Sequence, residues 1–195
     1  NKVNNSIDAD LDFANADLSL FKSFPNATVS VKDIVLINKA PFEGDTLFAS
    51  KVIELNMSVM ELFKEPNEPI GVKKLSIDGA NLNILVDTDG NANYDIAIET
   101  PQDTEDSQLN NEEDSFVFSM DSYSITNSTI TYADIASGMA LMLSDVQHDG
   151  TGDLSLEKSE LNTRTNALVS FGMDGTNYLN KNKVSLDAVI GIDLN

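Results

Sequence analysis

Cysteine and tryptophan are absent from this chain, and histidine occurs once. The absence of cysteine excludes disulfide staples, thiolate metal sites and cysteine nucleophiles. A Ser-His-Asp triad could draw only on His148, in Gln147-His148-Asp149-Gly150, which reads as a solvated polar turn. With no Trp and four Tyr, flat aromatic platforms for a sugar cleft are lacking. The 32 acidic residues supply many carboxylate pairs, and none stands out as a glycosidase pair. No phosphate-cradling glycine loop and no nucleophile elbow occurs. The expectation is a protein without catalytic residues and without a cofactor.

Positive charge is also scarce. Twelve Lys and Arg face 32 Asp and Glu, for a formal charge of −20. From Leu75 to Glu157 there are 17 acidic residues and no Lys or Arg. Nucleic acid needs cations to displace its counterions, so it is not an expected partner. Docking of that surface on an anionic bilayer is disfavoured for the same reason. No run approaches the ~20 apolar residues of a membrane-spanning helix, and no signal-peptide pattern follows Asn1. Asn1 is a polar start and Leu194-Asn195 stops inside an alternating run, so the chain reads as a piece of a longer protein.

What the chain has in abundance is alternation. Ile7, Ala9, Leu11 and Phe13 interleave with aspartates; Ile53, Leu55, Met57 and Val59 interleave with Glu54, Asn56 and Ser58; Val184 to Leu194 repeats the pattern. Successive side chains of a strand point to opposite faces, so period two gives each strand one apolar and one polar face. Strands are expected over 3–13, 27–37, 47–59, 72–86, 92–98, 115–125, 128–134, 139–146, 151–156, 162–173 and 183–194. Two short helical segments are expected at 15–22 and 59–64, the second ending before Pro66 and Pro69. The fold class is all-β, mainly antiparallel: a curved sheet or half-barrel forming a groove, with a closed β-sandwich as the alternative.

Glu99 to Asp114 carries seven acids and one aliphatic residue, Leu109, and reads as a mobile acidic loop. It separates an N-terminal β region, 1–98, from a continuation of the sheet, 115–195, in the same domain or a subdomain. A repeat straddles it. Leu75-Ser76-Ile77-Asp78-Gly79-Ala80-Asn81-Leu82-Asn83-Ile84 aligns with Tyr123-Ser124-Ile125-Thr126-Asn127-Ser128-Thr129-Ile130-Thr131-Tyr132. Gly79 falls opposite Asn127, the two residue types most tolerant of positive φ. The shared device is a strand, a kink or bulge, and a resumed strand.

Asp87-Thr88-Asp89-Gly90-Asn91-Ala92-Asn93 is the most metal-like stretch, with oxygen ligands at alternate positions. An EF-hand loop wants glycine sixth and glutamate twelfth; here glycine is fourth and Ile98 is twelfth. Asp-Gly between alternating runs signals a hairpin turn instead. Asp145, Asp149 and Asp153 recur every four residues without a ligand pattern. No metal site is expected.

One ordered series is more specific. Phe24-Pro25 precedes Val29-Ser30-Val31-Lys32-Asp33-Ile34-Val35-Leu36-Ile37-Asn38 and Ala40-Pro41-Phe42-Glu43-Gly44. Then come Leu62-Phe63, Ile77-Asp78-Gly79-Ala80-Asn81-Leu82-Asn83-Ile84-Leu85-Val86-Asp87 and Asp89-Gly90-Asn91-Ala92-Asn93-Tyr94-Asp95. This order resembles the beginning of the periplasmic part of AsmA-family proteins, over 18–95 and more loosely over 120–160. The resemblance implies a non-enzymatic envelope protein of the periplasm, anchored in the inner membrane outside this piece. It implies a part in outer-membrane biogenesis, and kinship with bridge-like lipid carriers whose curved sheets form hydrophobic grooves. The expected partner is a phospholipid or other acyl-chain lipid, and the lipid-contacting candidates are Leu55, Met57, Leu82, Ile84, Val86, Ile130 and Tyr132. Glu54, Asn56, Asn81, Asn83 and Thr131 should then face water. A β-sandwich adhesion or Ca²⁺-binding module is the alternative function.

Overall fold

The computed structural model describes residues 7–64, 71–97, 120–152 and 158–193. They form a single mixed sheet of ten strands, curved rather than flat. The strands are β1 (Ala9–Asp12), β2 (Asn15–Ser23), β3 (Asn26–Asn38), β4 (Thr46–Ser58), β5 (Val72–Asp78), β6 (Asn81–Val86), β7 (Ser122–Asp134), β8 (Met139–Thr151), β9 (Lys158–Met173) and β10 (Thr176–Asp193). Among the described residues no second sheet lies against this one, so the arrangement is an open sheet and not a closed sandwich. The acidic segment 99–114 lies outside the described residues.

Neighbours follow chain order, β3-β4-β5-β7-β8-β9-β10, with β1 and β2 sharing the outer edge of β3 and β6 continuing the line of β5. All pairings are antiparallel except β5–β7 and β6–β7. Parallel neighbours need a return connection of a dozen residues or more. The chain from Asp87 to Asp121 is that connection. The parallel register reproduces the internal repeat residue for residue: Leu75 faces Tyr123, Ile77 faces Ile125, Leu82 faces Ile130 and Ile84 faces Tyr132. Two stretches that lie side by side in the same direction meet the same environment, and their sequences converge on the same pattern.

Three expectations are corrected. Residues 15–22 form β2 and not a helix. Ala16 and Leu18 sit opposite Val31 and Val29, so period two won over the apolar cluster at Leu20 and Phe21 that suggested a helical turn. Residues 92–97 form no named strand; they make only the single bridges Val86–Ala92 and Ile7–Ala97. His148 lies inside β8 rather than in a turn. The second helical expectation holds as a 3-10 turn over Val59–Phe63, begun by the Ser58 hydroxyl accepting from the Met60 N–H. The pairs expected as separate strands 115–125 with 128–134, and 139–146 with 151–156, are continuous in β7 and β8 where they are described.

A line of left-handed residues crosses the sheet. Asp33 (φ 51°) lies in β3, Gly79 (φ 65°) between β5 and β6, Asn127 (φ 51°) in β7 and Asp145 (φ 51°) in β8, while β4, between β3 and β5, carries no left-handed residue. A left-handed residue inside a strand makes a bulge, which bends the strand and adds one residue to it. That extra residue moves the apolar set from odd to even numbers: Leu75 and Ile77 give way to Leu82 and Ile84, Tyr123 and Ile125 to Ile130 and Tyr132. Without the shift, every apolar residue beyond the crease would turn to the polar face. Asp78 ties the crease together. Its carboxylate accepts from the Asn127 amide at 2.6 Å and the Thr126 hydroxyl at 2.8 Å. These two bonds, the Asn127 one first, hold its carboxyl below the usual carboxylate range.

Candidate functional site: the uncovered apolar face

Directly paired residues of adjacent strands share a face, so registers map the surface. One row runs Leu18, Val29, Leu55, Leu75, Tyr123, Gly150, Thr163, Ala188. Beyond the crease a second runs Leu11, Leu36, Phe48, Leu82, Ile130, Leu143, Val169, Asn182. Both rows cross β9, at Thr163 and Val169, six residues apart on a strand that carries no left-handed residue. An even separation on a regular strand places the two rows on one face along β9. β4 carries them at Leu55 and Phe48, seven apart with no left-handed residue between, so there the shared face follows from pairing with β3 and β6 and not from alternation. The row beside the first is polar throughout: Ser30, Glu54, Ser76, Ser124, Asp149, Arg164, Asp187.

The apolar face is not sealed. The largest side chain below 2% exposure is that of Ser128, a residue at the crease. Leu55, Leu75, Ile77, Leu82, Ile84, Ile125 and Ile130 are only half-buried. Val184, Leu186 and Ile190 on β10 are exposed. A sheet packed against a second layer would bury such residues fully. Crossing eight strands at ~4.8 Å spacing, each row spans about 34 Å, more than twice the ~15 Å depth of one bilayer leaflet.

All seven candidate lipid contacts lie on this face. Leu82 pairs with Ile130 and Ile84 with Tyr132 on one side of the crease, with Val86 next along beside Asp134. Leu55 and Met57 lie on the other side, paired with Val29 and Ala27. Met57 is buried and the other six are half-buried. Asn83 and Thr131 sit on the opposite face, joined by a 2.9 Å hydrogen bond, and Asn56 there bonds the Thr28 hydroxyl. Of the residues expected to face water, Asn81 is exposed, while Glu54, Asn56, Asn83 and Thr131 are half-buried. Phe48, Leu75, Tyr123, Leu143 and Val169 complete the face. Their alternation was visible in the sequence; their register across strands was not.

One polar cluster interrupts the face. His148 Nε2 lies 2.7 Å from the Tyr123 hydroxyl, and its Nδ1 lies 2.8 Å from the Thr165 hydroxyl. The Tyr123 ring stacks obliquely on the imidazole, centroids 5.3 Å apart, and covers Gly150, where any Cβ would come within 2.3 Å of it. Burial, then the nearby Asp149 charge, raises the Tyr123 hydroxyl above its usual range, so it keeps its proton.

The metal-like stretch is a turn built on Asp87. Its Oδ1 accepts from the Asp89 and Asn91 N–H groups and its Oδ2 from the Asn91 amide, with Gly90 at φ 88°. Those bonds hold the Asp87 carboxyl below its usual range, the Asn91 amide contributing most. Among the described residues no group of three His, Asp or Glu is placed to hold a metal. The Asp89→Asn variant is therefore expected to melt with the parent, within about 1 °C, with or without millimolar Ca²⁺. A saturable rise in Tm in the parent, lost in the variant, would restore the metal-binding alternative.

Asn93 does structural work that sequence reasoning missed. The upper part of β6 has no strand on its β4 side, and the Asn93 amide takes that place. It accepts the Leu85 N–H at 2.9 Å and donates to the Asn83 carbonyl at 2.8 Å. The Asn93 N–H bonds the Leu85 carbonyl, and its own carbonyl accepts the buried Asn38 amide at 2.6 Å.

The fold is thus that of an open, creased β-sheet with one polar face and one apolar face that no second layer covers among the described residues. The AsmA family model matches residues 1–187, nearly the whole chain, and the chain belongs to the AsmA family, a family of envelope proteins. A comparison with curated proteins finds no match. Among the described residues no helix is long and apolar enough to cross a membrane.

Proposed function

We propose that this chain is a lipid-handling module of the periplasm, working in outer-membrane biogenesis by holding acyl chains on the apolar face of its sheet. The observation that carries the reading is the half-buried state of Leu55, Leu82, Ile84 and Ile130 on a sheet against which no second layer lies among the described residues. Burial of an acyl chain gains ~0.8 kcal/mol per CH₂, ample to hold a lipid. The polar row on the other side keeps the module in water. In the full-length protein an inner-membrane anchor outside this chain would fix it at the membrane that supplies the lipid. The family is not known for enzymatic activity, and the proposed work needs none.

The test combines extraction and mutation. Organic extraction of the purified protein followed by mass spectrometry should yield acyl lipid. The parent should bind a fluorescent fatty acid, and Ile84→Asp should fold yet bind at least tenfold more weakly, because the carboxylate stands on the lipid path but can stay hydrated at a half-open site. A parent that binds no probe, together with an Ile84→Asp protein that unfolds outright, would make the face an ordinary sealed core.

A further inference from the structure

The polar cluster on the apolar face has no part in the reading above, and its hydrogen-bond arithmetic is uneven. In its neutral form His148 would bring one N–H; Tyr123 brings one O–H and Thr165 one O–H, three protons in all. The contacts at 2.7 Å and 2.8 Å use two of them. If His148 donates to Tyr123, Thr165 donates to His148 and the Tyr123 proton is left over. If His148 donates to Thr165, Tyr123 donates to His148 and the Thr165 proton is left over. Either tautomer leaves one hydroxyl donor unspent, in a half-buried position on the apolar face.

The surroundings select what that donor takes. On the same face the neighbours are Ile125, Gly150, Thr163 and Leu186, all uncharged. The nearest charged residues in sequence, Asp149 and Arg164, belong to the polar face, where Arg164 pairs with Asp187 at 2.9 Å. Among the described residues, an anionic head group on this face would find no cation beside it. A neutral acceptor attached to an acyl chain fits both the spare donor and the apolar flanks. We propose that Tyr123, His148 and Thr165 form an anchor for the ester carbonyl of an acyl lipid, fixing the chain's position along the face. The anchor rests on the lipid-handling reading and adds a position-setting contact to it.

The chain's single histidine makes the test direct. Protein labelled with ¹⁵N-histidine shows the ring signals of His148 alone. They should shift saturably with a pyrene-labelled acyl methyl ester and stay in place with a pyrene-labelled alkane of equal length. In parallel, the ratio of alkane Kd to ester Kd should fall about threefold to tenfold in the triple variant Tyr123→Phe, His148→Leu, Thr165→Val, the loss of one neutral hydrogen bond. Equal His148 shifts with both probes, or an unchanged ratio, would overturn the anchor while leaving the lipid-handling reading intact. Should the triple variant fail to fold, the parent's ¹⁵N shifts decide alone. If neither probe binds the parent, the lipid-handling reading fails and the anchor falls with it.

Discussion

Replacing Asn93 with alanine is expected to cost about 2–4 kcal/mol of folding stability, read as a lowered urea midpoint at unchanged slope. Asn93 is 3% exposed, and its amide supplies both an acceptor for the Leu85 N–H and a donor for the Asn83 carbonyl. Alanine would leave both backbone groups facing a gap that no strand fills, and an unmade bond at a buried site costs more than the bond itself contributes. Asn93→Asp should be no better, since a carboxylate keeps the acceptor but has no hydrogen to offer Asn83. The neighbouring Tyr94, 58% exposed, supplies the control: Tyr94→Ala should change stability by less than about 0.5 kcal/mol. A similarly small effect at Asn93 would mean that its amide does not stand in for a strand.

This role gives physical content to the sequence series that resembles the AsmA family. Several of its residues hold the sheet's shape. Asp33 and Gly79 are left-handed residues at the crease, Asp87 builds the turn after β6, and Asn38 and Asn93 bond each other across 55 positions of chain. None of these residues lines the apolar face in a way that would select a ligand. The family pattern therefore identifies an architecture, and the choice of ligand falls to the apolar rows and the Tyr123–His148–Thr165 cluster.

Much of the fold was legible because period two is a local signal. Alternation placed β3, β4 and β9 within a few residues of their ends. The repeat was legible because parallel neighbours carry the same pattern at a fixed offset. β2 was not, because Leu20 and Phe21 adjoin and break its alternation, where the pairing with β3 is itself irregular. His148 looked like a turn residue because Asp149 and Gly150 follow it. In the sheet, Gly150 instead leaves room for the Tyr123 ring, a contact between residues 27 apart in sequence. Asp33 and Asp145 look like ordinary outward polar residues of a strand; nothing local marks them as left-handed. The partnership of Asn38 with Asn93 is likewise invisible, since a single long-range hydrogen bond has no period.

The crease offers the sharpest remaining test, because one position there separates backbone conformation from packing. Gly79→Val should cost about 2–3 kcal/mol, since a β-branched residue is strongly disfavoured at φ 65°. The added Cβ would also fall 2.6 Å from the Lys51 side chain, but that chain is flexible and its Cα is on an exposed residue, so it can move aside. Gly79→Asn places a Cβ at the same point. Yet asparagine adopts this conformation at the matching position of the neighbouring strand, Asn127, at φ 51°. It should therefore cost less than about 1 kcal/mol. The two variants differ little in what they push against and much in the backbone they accept. Urea denaturation of both decides the matter. A wide gap assigns the cost to the left-handed bulge that keeps Leu82 and Ile84 on the face of Leu75 and Ile77. Equal losses would assign it to crowding against Lys51, and the bulge would no longer explain why the apolar face continues across the crease.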